Sequence, residues 1–107
     1  MSGKLTKEEV LRRLRAERPY LAQKFGVTKL ALYGSFARDA QTEKSDVDVL
    51  VALTRPLGLE FIALSYYLED VVGRPVDLTT FDALDEGLKK ERHRHIAADV
   101  HRSMIYV

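Results

Sequence analysis

No cysteine occurs among the 107 residues, which excludes disulfides and thiolate metal sites and fits a reducing compartment. Long apolar runs are missing as well: nothing approaches the roughly 20 residues that a membrane-spanning helix needs. The opening MSGKLTKEEV lacks the apolar stretch of a secretory signal, so a cytoplasmic location is expected. Charge of one sign is absent too. Lys and Arg number 17 against 16 Asp and Glu, a net +1 that gives no general pull toward nucleic acid or an anionic membrane. No repeat, low-complexity tract or Gly/Ser-rich linker divides the chain. There is no GxxxxGK[ST] phosphate loop, and no Ser-His-Asp or Cys-His grouping for nucleophilic catalysis.

What is present suits one folded domain over residues 1–107 with a single core: 46% hydrophobic and 31% charged. Thr6-Lys7-Glu8-Glu9 has the form of a capping box, with Thr6 as N-cap and Glu9 reaching back. Val10, Leu11 and Leu14 follow at helical spacing. Pro19 is expected to interrupt this helix, leaving one segment from about Thr6 to Glu17. A second would run from Pro19 to about Phe25, stopped by Gly26. Val27 to Tyr33 reads as a strand, Ser35 to Arg38 as one helical turn, and Asp39 to Lys44 as a loop. Asp46 to Leu53, DVDVLVAL, is almost wholly apolar after its acids, as in a strand covered on both faces. Phe61, Leu64, Leu68, Val71 and Val72 mark a helix ended by Gly73. Pro75 to Thr80 is a third strand. From about Leu84 comes a charged helix, then the apolar tail MIYV. The order predicts an α/β domain on a small sheet.

Two carboxylates in a strand are the feature to explain. With a two-residue alternation, Asp46 and Asp48 face one side, about 6.6 Å apart along the chain, while Val47, Val49 and Val51 face the core. A solvated strand end is the plain alternative. Gly34-Ser35 ends the preceding strand, so if the two strands are neighbours the turn lies beside the acids. A glycine there admits close backbone approach, and the Ser35 hydroxyl and nearby amides suit phosphate oxygens. Asp77 sits amid the apolar third strand and wants a metal, a proton or an arginine such as Arg74. Arg38, one turn past the Gly-Ser pair, either binds phosphate or neutralises the acids. Three converging carboxylates would repel a triphosphate; two Mg²⁺ ions, bridging carboxylate and phosphate oxygens, reverse that. The pattern favours metal-assisted phosphoryl or nucleotidyl transfer.

GSFARDAQTEKSDVDVLV resembles the signature of the DNA polymerase β-like nucleotidyltransferase superfamily, Gly-Ser followed after a spacer by Asp-x-Asp on a strand. Within it the chain is similar to the minimal nucleotidyltransferase family, from KFGVTKLALYGSFAR through LEFIALSYYLEDVVGRPVDLTT. The resemblance implies a nucleotidyltransferase fold, α/β (α+β), with a small mixed sheet flanked by helices. It implies that Gly34 and Ser35 hold the triphosphate of the donor, ATP. It further implies that Asp46 and Asp48 ligate Mg²⁺ and that Asp77 completes the metal site and helps activate the acceptor hydroxyl. Many members resemble antitoxins that adenylylate a tyrosine of a HEPN-type ribonuclease toxin. One departure stands out: Asp39 follows Arg38 where the family usually has Gly.

Other signals carry less. His93 and His95, two apart on a helix, point about 200° away from each other and make a poor metal pair. The run Lys89 to Arg94 reads as a solvated helical face, so no direct nucleic-acid binding is expected. Tyr66 and Tyr67 read as core and rim packing, with at least one free to meet a partner. The competing functions are a binding-only antitoxin and nucleotidyl transfer to a small molecule such as an aminoglycoside. The little material left for an acceptor pocket leads us to expect a partner protein, or a homo- or hetero-oligomer, to complete the cleft.

Overall fold

The computed structural model describes residues 5–89 and 104–107. Along the chain run α1 (Lys7–Phe25), β1 (Val27–Tyr33), α2 (Gly34–Ala37), β2 (Val47–Leu53), α3 (Glu60–Val72), β3 (Val76–Thr80), α4 (Phe81–Lys89) and β4 (Ile105–Tyr106). The four strands form one mixed sheet in the order β3-β2-β1-β4. β1 is antiparallel to β2 and to β4, whereas β2 and β3 are parallel, joined across α3. The expected α/β domain with a small mixed sheet is the architecture found.

Thr6 caps α1 by accepting from the Glu9 amide at 3.1 Å. The Glu9 carboxylate is engaged by Arg12 and Arg13, and the Arg12 guanidinium, then that of Arg13, draws its pKa below the usual range. The expected break at Pro19 does not occur: α1 is continuous through it. Leu14 on one side and Leu21 and Phe25 on the other are buried in the same core, which holds both halves on one axis. Pro19 itself is exposed, so the Arg15 carbonyl that loses its helical donor faces water.

α1 and α3 cover one face of the sheet. Val10, Leu14 and Leu21 of α1 and Leu64 and Leu68 of α3 are fully buried against Leu32, Val47, Val49 and Val51. The Arg13 guanidinium donates to the Val72 carbonyl at 2.9 Å and closes the end of α3. Tyr67 packs on Tyr20 and Phe25, while Tyr66 is 63% exposed. On the other face Ala31 and Leu50 are also fully buried, and α4 packs against β2 and β3 there. β2 is therefore covered on both sides, as its apolar run requires.

α4 begins at Phe81, directly after β3, earlier than the charge pattern suggested; the Thr80 hydroxyl accepts from the Ala83 amide and starts it. Phe81 stacks on Tyr106, rings 5.9 Å apart and nearly parallel. The apolar tail supplies β4, whose register places Tyr106 opposite Ala31. His93, His95 and the basic run through Arg94 lie outside the described residues. Among the described residues no helix is long and apolar enough to cross a membrane.

Candidate active site

The sheet register builds the site. Tyr33 pairs with Asp48 across the antiparallel β1–β2 ladder, and Asp48 pairs with Asp77 across the parallel β2–β3 ladder. Paired residues on neighbouring strands, about 4.8 Å apart, project to the same face. Tyr33, Asp48 and Asp77 thus form one row across three strands. Asp46, two residues before Asp48, lies just outside the ladder and is exposed.

The Gly-Ser turn stands against this row. Gly34 has φ +74°, a left-handed backbone that side-chain-bearing residues rarely adopt. A methyl group built on it would overlap the Asp48 Oδ2 atom and sit 2.9 Å from its Cγ. The missing side chain is what admits the Asp48 carboxylate. Phe36, fully buried, anchors α2 and with it the half-buried Ser35.

Charge crowding is the electrostatic signature. Asp48 is half-buried, and its carboxyl is pushed up to about 6, first by desolvation and then by the negative charges of Asp77 and Asp46. Arg38, exposed at the end of α2, pulls it the other way through its positive charge. Tyr33 extends over β2 to the Thr79 hydroxyl at 3.4 Å. Burial raises its phenol above the usual value, the Thr79 hydrogen bond opposes this, and the charges of Asp77 and Asp48 add to it. Among the described residues, no three His, Asp or Glu side chains are closed into a metal cage. The acids share a sheet end but stand as separate carboxylates.

The nucleotidyltransferase domain pattern matches residues 14–103. The chain belongs to the nucleotidyltransferase family. The protein adenylyltransferase MntA of Thermococcus cleftensis is 39% identical over 93 residues, covering 86% of this chain and 94% of that protein. A solved structure described as a candidate minimal nucleotidyltransferase superposes with a TM-score of 0.71 at 27% identity, covering 97% of this chain and 98% of that one. A chain from a toxin–antitoxin crystal structure with AMP-PNP shares the fold, with a TM-score of 0.55 at 18% identity, covering 88% of this chain and 82% of its own.

In this nucleotidyltransferase, Gly34, Ser35, Asp46, Asp48 and Asp77 come to one end of the sheet, with Arg38 close enough to act on Asp48 through charge. Asp39 has φ 55°, the left-handed conformation that glycine takes most readily, and its carboxylate pairs with Lys7 at 3.1 Å. Its charge is thus met by α1. Arg74, weighed from sequence as a partner for Asp77, points elsewhere. Its Nη2 lies at 3.2 Å from the Thr42 carbonyl and 2.6 Å from those of Glu43 and Ser45. Neither this contact nor the position of Tyr33 was read from the sequence. The signal for Tyr33 was its place beside Gly34, which acquires meaning only with the β1–β2 register; Arg74 gave no local signal.

Proposed function

We propose that this nucleotidyltransferase moves AMP from MgATP onto a hydroxyl of another protein, a tyrosine of a HEPN-type ribonuclease toxin, and so acts as its antitoxin in the cytoplasm. The observation that carries the reading is the row Asp48–Asp77 against the side-chain-free Gly34. The name of the Thermococcus cleftensis relative supports a protein acceptor, and the fold shared with a toxin–antitoxin chain supports a toxin as that acceptor.

The donor set fits Mg²⁺. Carboxylate oxygens are hard ligands, and Mg²⁺ is typically held by one or two carboxylates together with substrate phosphates and water rather than by a complete protein cage. Separate carboxylates beside an open backbone suit that mode. Asp46 and Asp48 would hold the metal, with Asp77 completing the set for two ions. When bound, Mg²⁺ would offset the desolvation and the mutual repulsion that raise Asp48, and would polarise the phosphate oxygens.

The protein's own groups do the rest. Gly34 seats the Asp48 carboxylate against the turn where the triphosphate would lie, and the Ser35 hydroxyl donates to a phosphate oxygen. Arg38 supplies positive charge as negative charge accumulates on pyrophosphate. Asp77, exposed on an edge strand, meets the acceptor and takes the hydroxyl proton. The acceptor oxygen forms a bond to the α-phosphorus, and the bond from that phosphorus to the bridging oxygen breaks. Pyrophosphate leaves with the electron pair. A cavity of about 320 Å³, lined by Leu53, Arg55, Phe81 and Asp82 among others, lies at the opposite end of β2, so it cannot present a small acceptor to these acids.

The test is incubation with α-labelled ATP, Mg²⁺ and the proteins encoded beside it. Label should appear on a neighbouring polypeptide and disappear with Asp46→Asn plus Asp48→Asn. Undiminished neutralisation of the partner by that double variant would leave only a binding antitoxin.

A further inference from the structure

Two of the three acids are fixed by the sheet and one is not. Asp48 and Asp77 lie within the paired strands, whereas Asp46 ends the polar connection between α2 and β2 and precedes the first paired residue, Val47. That connection contains a compact turn. The Ser45 amide donates to the Thr42 carbonyl at 3.1 Å, and the Thr42 amide donates to the Ser45 hydroxyl at 2.8 Å. The turn is a unit, but its own bonds do not tell it where to sit.

Arg74 does. Its Nη2 reaches the carbonyl oxygens of Thr42, Glu43 and Ser45, the last belonging to the residue before Asp46. Its guanidinium carbon also lies 5.8 Å from the centre of the Phe36 ring, the buried anchor of the Gly-Ser turn. The Arg74 backbone is itself held, since Gly73 closes α3 and the Pro75 carbonyl accepts from the Val47 amide at 2.9 Å. One side chain therefore joins the α2 turn, the loop bearing Asp46 and the start of the strand bearing Asp77. All three carbonyls share the two hydrogens of Nη2, while the flat guanidinium also lies over the Phe36 ring; an ammonium could donate to the carbonyls but has no planar face to set against the ring.

We infer that Arg74 is a positioning residue that holds Asp46 beside Asp48 by gathering the Thr42–Ser45 turn. This rests on the reading of Asp46 as a metal ligand. The sign of its effect separates the role from simple electrostatics. A cation beside an acidic site repels metal, so removing its charge alone would tighten metal binding; losing a positioning contact loosens it.

The experiment measures Mn²⁺ binding in the presence of the non-hydrolysable ATP analogue AMPCPP. Arg74→Ala and Arg74→Lys should each weaken it about tenfold, the scale for a partner that orients a ligand. Arg74→Ala combined with Asp46→Asn should bind no more weakly than Asp46→Asn alone, because Arg74 acts through Asp46. Millimolar guanidinium should restore Arg74→Ala and leave Arg74→Lys impaired. Unchanged or tighter binding by Arg74→Ala, or single effects that multiply in the double variant, would overturn the inference. If the parent protein binds no Mn²⁺ with nucleotide, the functional reading fails, and amide exchange then decides the role of Arg74. Faster exchange at Ser45 in Arg74→Ala, with the β1–β2 ladder still protected, supports it, and unchanged exchange refutes it.

Discussion

Asp48→Asn should make the metal-free protein more stable while abolishing transfer. The parent carboxyl titrates at about 6 instead of 3.8 because it is partly desolvated beside Asp77 and Asp46. That interval corresponds to roughly 3 kcal/mol of unfavourable free energy for the charged form at neutral pH. Asp48 is only half-buried, and solvent screening reduces the figure to about 1–2 kcal/mol. The sign follows from proton linkage: the folded protein holds this proton more tightly than the unfolded chain, so the cost is fully present above the folded value of about 6. It fades as pH falls toward 3.8, where both states are protonated. Asparagine keeps the shape beside Gly34 without the charge. At about 4–8 °C per kcal/mol for a domain near this size, the variant should melt about 5–15 °C higher than the parent at pH 7.5 in chelator. The gap should hold nearly constant down to about pH 6 and narrow from there to pH 4.5, and Mg²⁺ with an ATP analogue should stabilise the parent alone. Circular dichroism melts across that pH series provide the measurement. A variant that melts at or below the parent, or a gap indifferent to pH, would refute the account of charge crowding.

Three further outcomes are expected. Gly34→Ala should cost about 1–3 kcal/mol in urea unfolding, through its left-handed backbone and the overlap with Asp48, and should lose nucleotide binding. Asp77→Asn removes the neighbouring charge with the greater effect on Asp48, so the Asp48 carboxyl should titrate lower by NMR. The same variant should slow adenylyl transfer by about 100-fold or more, the scale for losing a positioned proton acceptor. Pro19→Ala, exposed within a continuous helix, should gain about 1–2 kcal/mol, the propensity gain being partly offset by a freer unfolded chain; an unchanged denaturation midpoint would count against that reasoning.

The parts of this molecule that were legible in the sequence are those governed by local periodicity. The alternation in DVDVLVAL put Asp48 opposite the buried valines, and the spacing of Leu64, Leu68 and Val72 gave the inner face of α3. Gly34-Ser35 showed where β1 ends. Pro19 misled because a local rule was applied where tertiary burial of Leu14, Leu21 and Phe25 outweighs it. The meeting of Asp77 with Asp48 depends on strand register, and a slip of one residue would have turned Asp77 to the other face. Arg74 acts on backbone carbonyls about 30 residues away, a contact for which composition and spacing carry no trace. The tail MIYV became β4 only because β1, far earlier in the chain, offered it an edge.

The parallel pairing of β2 with β3 has a consequence for the life of the protein. Because β2 and β3 are joined across α3, a chain that has paired only β1 with β2 sets Asp48 against Gly34 but leaves Asp77 outside the site. On the proposed function, nucleotide selects the completed molecule, and at one hundred times its dissociation constant it would deepen the native well by about 2.7 kcal/mol.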